Sequence, residues 1–236
     1  MAVETPIVLV HGGGFDHRCW DRLVPLLDGP VLAVDLPGRG RHPAPFDAVD
    51  LAACAEAVAG DVDEAGFDEI VLVGHSLAGC SMPAIVGVLG ARVQRCVFVA
   101  CTVPDDGQSV LDTLDPELQE LARAAADLVE PVLMDGAIAE LVLGNDLDAD
   151  QLAWCVERMV PEAPGLIFEP VDLSPLRSPM PRLWVRTMGD TILAPDKQLR
   201  FAAHVGDCPV VDLAAGHMCM VSQPEALAAI LRGASA

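Results

Sequence analysis

Short apolar runs and longer stretches of helical periodicity alternate along most of this chain. Runs of about four to eight residues rich in Val, Ile and Leu are typical of strands buried on both faces of a parallel sheet. Strands are predicted at residues 6–10, 31–35, 70–75, 94–101, 182–187 and 209–213. The helical periodicity predicts helices at about 17–27, 50–65 and 77–90, and two more that begin near 195 and after 222. The alternation predicts an α/β fold with about six mostly parallel strands flanked by helices.

The alternation stops between about Pro104 and Ser178, where the pattern is rich in helix and poor in strand. Helical runs recur there at 116–128, 138–143 and 152–159. Such a segment predicts a helical cap, residues 104–178, inserted after the fourth strand into a core made of 1–103 and 179–236. Large apolar residues in the cap are candidates for a substrate pocket, although packing between helices is their commoner role. These residues are Leu133, Met134, Trp154, Met159 and Phe168.

Composition and charge narrow the class of protein. Of the 236 residues, 52% are hydrophobic and 21% are charged, which provides ample material for a buried core. The formal net charge of −21 disfavours nucleic acid and an anionic membrane surface as partners. Eight cysteines without C-x-x-C or zinc-ligand spacing predict reduced, mostly buried thiols and no metal. With neither a basic leader nor an apolar run of membrane-spanning length, a cytoplasmic protein is expected.

A sharp turn is predicted where the third strand ends. The strand at 70–75 runs into G-H-S-L-A-G at 74–79, and a helical pattern follows directly. Gly-x-Ser-x-Gly between a strand and a helix places the serine at the apex of a strained turn, and the glycines let strand and helix approach each other. The helix also directs free backbone N–H groups at the space above Ser76. Ser76 is therefore a candidate nucleophile.

Two nucleotide-binding patterns are incomplete in this sequence. Residues 74–81 differ from a phosphate-binding loop because Cys80 stands where a lysine is required. G-x-G at 12–14, with Asp35 about twenty residues further on, is close to a dinucleotide-binding fingerprint. His17 occupies the place of its third glycine, and an imidazole prevents the close packing that glycine allows. Neither nucleotide is favoured, and no cofactor is expected.

Three polar residues directly follow predicted strands: Ser76, Asp190 and His217. A serine hydroxyl needs a base, and the base needs a carboxylate that fixes its tautomer. Because loops after parallel strands meet at one edge of the sheet, these residues are the predicted catalytic nucleophile, acid and base. Other carboxylates stay open as the acid: Asp105, Asp106, Asp196 and Asp212.

Together these motifs resemble the α/β-hydrolase superfamily, and within it the branch of small methyl esterases and hydroxynitrile lyases. The resemblance spans nearly the whole chain, through H-G-G at 11–13, the serine motif, G-D-T at 189–191 and G-H-M at 216–218. The order serine, acid, histidine along the chain is that of the superfamily. The resemblance implies an oxyanion hole formed by the backbone N–H groups of Gly13 and Leu77.

Two positions distinguish the lyases from the esterases of this branch. The lyases tend to carry Thr after the first His and Lys after the last, whereas this chain has Gly12 and Met218. This resembles the esterase pattern and makes both positions candidates for substrate binding. A cofactor-free serine carboxylesterase is implied, with a small-molecule ester as its partner and a homodimer left open. A thioester or C–C bond of a specialised metabolite, or a ligand-binding or receptor role on the same scaffold, stays an alternative.

Overall fold

The centre of the molecule is a six-stranded sheet. The computed structural model describes residues 4–126, 133 and 136–235. Its strands are β1 Ile7–Val10, β2 Val31–Val34, β3 Ile70–His75, β4 Val93–Val99, β5 Arg182–Thr187 and β6 Val210–Leu213. They are arranged in the order β2-β1-β3-β4-β5-β6, and every neighbouring pair is parallel. The predicted strand number and the α/β class are confirmed.

Helices cover both faces of this sheet. The α-helices are α1 Leu51–Glu64, α2 Ala78–Leu89, α3 Pro116–Ala126, α4 Gly136–Leu143, α5 Ala149–Val156, α6 Pro195–His204, α7 Cys219–Ser222 and α8 Pro224–Ser235. Because side chains alternate across a strand, Val8 and Val10 of β1 enter one buried apolar cluster and Ile7 and Leu9 enter the other. Within the described ranges, no helix is long and apolar enough to cross a lipid bilayer.

The predicted helix over about 17–27 is not an α-helix. The chain forms two 3-10 turns there, His17–Trp20 and Val24–Leu26. Pro25 lies in the second turn and has no N–H to donate to a longer helix. Trp20 and Leu23 are still fully buried, so this segment contributes to the core without forming an α-helix.

The described part of the segment between β4 and β5 consists of helices joined by turns and irregular loops. Residues 104–178, called the insert below, contain α3, α4, α5 and 3-10 turns, and no strand among their described residues. Residue 128 of the predicted helical run and Met134 lie outside the described residues. The division of the chain into a core and a separate cap stays a prediction.

The turn between β3 and α2 depends on close backbone packing. Ser76 at its apex has φ of +53°, a conformation that non-glycine residues rarely adopt. Its N–H donates to Val99 O at 3.1 Å, and its carbonyl accepts from Thr102 N–H at 2.9 Å. A Cβ on Gly79 would lie 2.5 Å from Thr102 O. The first turn of α2 can therefore approach the end of β4 only because residue 79 is glycine.

We expect Gly79→Ala to destabilise the protein by about 1–3 kcal/mol, because the added methyl group meets backbone atoms that cannot rotate away. The matched control is Gly60→Ala, since Gly60 is exposed on α1 and a Cβ there meets nothing within 4 Å. The free energy of unfolding of the control should rise by about 0.5–1 kcal/mol, because alanine has a higher helix propensity than glycine. Urea unfolding of both variants measures the difference. Equal effects of the two substitutions would contradict the packing argument.

Candidate active site

Ser76, His217 and Asp190 are hydrogen-bonded in series at the carboxyl edge of the sheet. His217 Nε2 lies 2.9 Å from Ser76 Oγ, and His217 Nδ1 lies 2.8 Å from Asp190 Oδ2. The three residues follow β3, β6 and β5, as the sequence predicted. Because the carboxylate can only accept, Nδ1 carries the proton and Nε2 is left to accept from the serine hydroxyl. The histidine therefore has the tautomer that a general base for Ser76 requires.

Four donors surround the carboxylate of Asp190. Besides His217, Thr187 Oγ1 donates to Oδ2 at 2.9 Å, and the N–H groups of Ile192 and Leu193 donate to Oδ1 at 2.9 and 2.8 Å. Burial by itself raises the pKa of this carboxyl group, but the hydrogen bonds and the neighbouring imidazole outweigh burial and hold the pKa below its ordinary value. Asp190 is therefore ionised at neutral pH and can stabilise positive charge on His217.

Gln198 holds two of these donors in place. It is completely buried on α6, and its Nε2 donates to Thr187 Oγ1 at 2.9 Å and to Leu193 O at 2.7 Å. Its Oε1 accepts from Thr187 N–H at 3.1 Å. Sequence reasoning missed both Gln198 and Thr187. A signal for Gln198 did exist, because this amide shares the buried face of α6 with Phe201 and Ala202.

The other candidate carboxylates have different surroundings. Asp106 is paired with Arg177 at 3.0 Å, and Asp212 with Arg186 at 2.7 Å. Asp105 Oδ1 accepts the backbone N–H of Asp106. The fourth candidate, Asp196, lies in the first turn of α6. Within the described residues, the carboxylate that the geometry brings to the histidine is the predicted one.

Two buried histidines support the loops around Ser76. His75 Nε2 donates to His217 O at 2.9 Å, and the two ring centroids lie 4.7 Å apart. His11 Nε2 accepts the N–H of Leu36 at 3.0 Å, so its Nδ1 donates to the carbonyl of the next residue. Burial is the main cause that lowers the pKa to about 3 for His75 and to about 4 for His11, followed by the nearby His217 and Arg39 respectively. Both rings are neutral at pH 7.

The backbone N–H groups of Gly13 and Leu77 are available beside Ser76. In the hydrogen bonding of the described residues, neither group has a protein acceptor, and all three residues line one cavity. A Cβ on Gly13 would lie 3.1 Å from Leu77 Cδ2, so the two loops are in contact. Leu77 directly precedes α2, where unpaired N–H groups and the helix dipole favour negative charge. The structure thus brings the two predicted donors together.

The two predicted substrate-binding positions, Gly12 and Met218, differ in their surroundings. Met218 lines the cavity above Ser76, whereas Gly12 does not. A Cβ on Gly12 would lie 2.9 Å from Ser76 Cβ and 3.0 Å from His75 Nδ1. A threonine at this position would therefore require the loop to move. The geometry assigns Gly12 to close packing beneath the serine and gives no support for direct contact with substrate.

A cavity of about 390 Å³ opens above Ser76. Its polar groups include Ser76, His217 and Glu162, and its apolar lining includes Phe15, Leu77, Leu143, Ile167, Ile192 and Met218. Leu143 and Ile167 come from the insert, which therefore contributes to the cavity. Such a space suits a small, largely apolar ligand.

The apolar insert residues predicted for a pocket do not line this cavity. These are Leu133, Trp154, Met159 and Phe168, and Met134 lies outside the described residues. Trp154 instead packs against two cations: the guanidinium carbons of Arg22 and Arg158 lie 5.0 and 4.0 Å from its ring centroid. The size and apolarity of these residues did not show whether they pack against other parts of the protein or line the cavity. That depends on the direction in which each side chain points in the folded chain.

Asp35, the acidic residue of the incomplete dinucleotide pattern, has a structural role. It is fully buried and accepts from His17 N–H and Arg41 N–H, both at 2.9 Å, as well as from the His17 ring at 2.8 Å. Asp16, His17 and Asp35 lie close enough together to hold a cation. The carboxylate of Asp16, however, already accepts from Arg18 through both oxygens. These donors account for the cluster without a metal.

A model of the alpha/beta hydrolase family matches residues 7–230. The chain belongs to this family. The fold expected from the sequence motifs is thereby confirmed. A solved extracellular alpha/beta-hydrolase from a Paenibacillus species, described as homologous in structure and function to tobacco salicylic acid binding protein 2, superposes with a TM-score of 0.87. It is 20% identical and covers 98% of this chain and 99% of its own, which supports the fold of this α/β-hydrolase.

Several curated relatives of this α/β-hydrolase are named as ester hydrolases. "Putative methylesterase 14, chloroplastic" of Arabidopsis thaliana is 26% identical over 260 residues, covering 97% of this chain and 71% of its own. Lipase LipV of Mycobacterium tuberculosis is 27% identical over 248 residues, covering 96% of this chain and 91% of its own. These names support the predicted class of carboxylic ester hydrolases and match the methyl esterase branch.

The neutral state of His11 predicts a loss of stability in mild acid. The unfolded chain takes up a proton near pH 6.5, whereas the folded ring does so only near pH 4, so the free energy of unfolding falls as pH drops between these values. Between pH 7 and 5, His11 accounts for a fall of about 2 kcal/mol in the free energy of unfolding. Urea unfolding of wild type and His11→Asn over this window should show a steeper loss in wild type. Parallel curves would mean that the folded ring takes up its proton over the same pH range as the unfolded one, and would contradict the lowered pKa.

Proposed function

We propose that this α/β-hydrolase is a serine carboxylesterase that cleaves a small, uncharged ester through an acyl-enzyme. The observation that carries the proposal is the series Ser76, His217 and Asp190, with hydrogen bonds of 2.9 and 2.8 Å, opening on an apolar cavity. A protein that only binds a ligand has no need of a base aligned with a nucleophile and a carboxylate behind it. Relatives named as an esterase, a lipase and a hydrolase support the same chemistry.

In the proposed mechanism, His217 Nε2 accepts the proton of Ser76 as Oγ attacks the ester carbonyl carbon. Asp190 stabilises the imidazolium that forms. The N–H groups of Gly13 and Leu77 donate to the oxyanion of the tetrahedral intermediate. His217 then returns its proton to the leaving alkoxide, and the acyl group stays on Ser76. A water molecule, activated by His217, attacks the acyl-enzyme by the reverse sequence and releases the acid.

The cavity favours an uncharged substrate. Glu162 is the acidic group of the lining, and it is already paired with Arg39, at 2.5 Å. A carboxylate on the substrate would approach this glutamate and would meet no cation among the lining residues that the structure describes. Apolar side chains from the core and the insert surround the remaining space. We therefore propose that the insert acts as a cap that selects apolar acyl or alcohol groups.

The proposed partner is a small-molecule ester, with neither nucleic acid nor a membrane involved. The net charge of −21 supports this choice, because an acidic surface repels nucleic acid and anionic membranes.

All eight cysteines are free thiols, and seven of them are buried. Free thiols are typical of reducing compartments, so we propose the cytoplasm as the location.

Time-resolved hydrolysis of p-nitrophenyl acetate and butyrate tests the role of Ser76. We expect steady turnover by wild type and a loss of about 10³-fold or more in Ser76→Ala, because the acyl-enzyme can no longer form. The control is Ser81→Ala, a buried serine whose Oγ donates to Ala78 O at 3.0 Å within α2. This control should keep wild-type turnover. One equivalent of nitrophenol followed by a stable acyl-enzyme would instead favour the receptor alternative.

Asp190→Asn tests the acid. The amide can donate to His217 Nδ1, which moves the imidazole proton to Nε2 and removes the acceptor for Ser76. We expect kcat to fall by about 10⁴-fold with little change in KM. The matched control is Asp106→Asn, in an aspartate of the segment after β4 that is paired with Arg177. A larger loss in the control than in Asp190→Asn would reassign the acid.

A further inference from the structure

The loop that carries Gly13 is held by the insert through Gly14. Glu162 Oε2 accepts the N–H of Gly14 at 2.8 Å, and Val160 N–H donates to Gly14 O at 2.9 Å. Both backbone polar groups of Gly14 are therefore bound by residues from a distant part of the chain. Gly14 has φ of +72°, so its conformation depends on glycine.

Arg39 fixes the carboxylate of Glu162. Its side chain is only 2% exposed, and its two terminal nitrogens lie 2.5 Å from Oε1 and 3.1 Å from Oε2. The same guanidinium donates to Phe15 O at 3.1 Å, one residue beyond Gly14. The N–H of Ala163 donates to Oε1 at 2.9 Å. Donors on both oxygens leave the carboxylate a single orientation, and the partly buried carboxylate neutralises the buried guanidinium.

Three consecutive glycines need such a restraint if one of them is to serve as an oxyanion donor. Residues 12–14 have no side chains to limit backbone rotation, so the loop has many accessible conformations when it is unrestrained. The N–H of Gly14 belongs to the planar peptide unit that joins it to Gly13. Holding this N–H fixes the backbone on one side of Gly13. The bond from His11 Nδ1 to Gly12 O, in the peptide unit that carries the Gly13 N–H, fixes the other side. A donor stabilises a transition state only if its direction is set before the reaction.

We propose that Glu162 is a positioning residue that preorganises the oxyanion hole. Its carboxylate, fixed by Arg39, anchors Gly14 so that the N–H of Gly13 stays directed at the space beside Ser76. The inference rests on the proposed esterase function, since it assigns Gly13 as an oxyanion donor. It makes the oxyanion hole dependent on the docking of the insert, because Glu162 and Val160 both belong to that segment.

A purely electrostatic effect of Glu162 predicts the opposite sign. A negative charge near the oxyanion disfavours the transition state, so its removal alone should increase kcat. Loss of the anchor should instead decrease kcat. Glu162→Gln removes only the negative charge, so an increase in its kcat would report the electrostatic effect. The double variant removes both charges, so a decrease in its kcat reports the loss of the anchor.

The experiment compares two ways of changing the pair. Glu162→Gln keeps an oxygen that can accept from Gly14 N–H, but its amide nitrogen replaces Oε1 and cannot accept from Arg39 or Ala163. Arg39→Met combined with Glu162→Leu removes the anchor without leaving an unpaired charge buried, and such apolar replacements usually preserve the fold. The matched control is Glu169→Ala. Glu169 belongs to the same insert and accepts the N–H of Leu51 at 2.8 Å at the start of α1. Circular dichroism and thermal unfolding confirm that each variant is folded.

With p-nitrophenyl butyrate, we expect the double variant to lose about 10- to 100-fold in kcat with a small change in KM. Inhibition by a trifluoromethyl ketone, which places an oxyanion in the hole, should weaken in parallel. Glu162→Gln, which keeps the acceptor for Gly14 but not the pairing with Arg39, should recover part of the loss, and Glu169→Ala should keep wild-type kcat. A double variant as fast as wild type or faster, or a Glu162→Gln variant as slow as the double variant, would overturn the proposal.

Amide hydrogen exchange provides a readout that does not depend on activity. Protection of the Gly14 amide should be lost in the double variant and retained in Glu162→Gln. Unchanged protection in the double variant would overturn the anchoring role even if the enzyme is an esterase. Protection that is lost as expected, in a protein whose ester turnover does not depend on Ser76, would leave the anchor established and overturn only the proposed function.

Discussion

The arrangement of the site depends on the backbone turn at Ser76. A φ of +53° costs a serine on the order of 1–3 kcal/mol, so the turn persists only where its surroundings determine it. Hydrogen bonds from Ser76 N–H to Val99 and from Thr102 to the Ser76 carbonyl tie both polar groups of this residue to the end of β4. Gly79 allows α2 to lie against the same segment. The strain places the hydroxyl above the sheet edge, where the histidine loop can reach it.

Charges around the site are balanced by local hydrogen bonds, although the whole chain is strongly acidic. Asp190 is ionised because four donors surround it, and its partner His217 is the ring that faces Ser76. The neighbouring rings of His11 and His75 are buried, and burial keeps them neutral. They can fix loops without placing positive charge beside the base. This separation of roles among histidines follows from what each ring nitrogen contacts.

The insert contacts three of the loops that form the site. Asn145 Nδ2 donates to Gly189 O, and Asp146 accepts the N–H of Gly216, so the loops before Asp190 and His217 each have a partner in the insert. Glu162 contacts the loop of Gly13 and Gly14 in the same way. The segment therefore provides more than apolar lining. Its polar residues bind backbone groups next to the residues proposed to act in catalysis.

The sequence by itself determined the layered fold and the positions of Ser76, Asp190 and His217. Burial of parallel strands leaves near-continuous apolar runs, and a residue that follows such a run must lie at the carboxyl edge of the sheet. The helix expected over 17–27 failed because Pro25 removes a backbone donor, which apolar spacing does not register.

Only the tertiary structure decided the cavity lining and the polar residues that support the site. Arg39 and Glu162 are far apart in sequence, and Gln198 reaches its partners only after α6 packs beside β5. Trp154 looked like a pocket residue by size, but the orientation of α5 turns it toward two arginines. Periodicity along a chain reports which face of an element is buried. It does not report which distant element covers that face, and hydrogen bonds between elements depend on that choice.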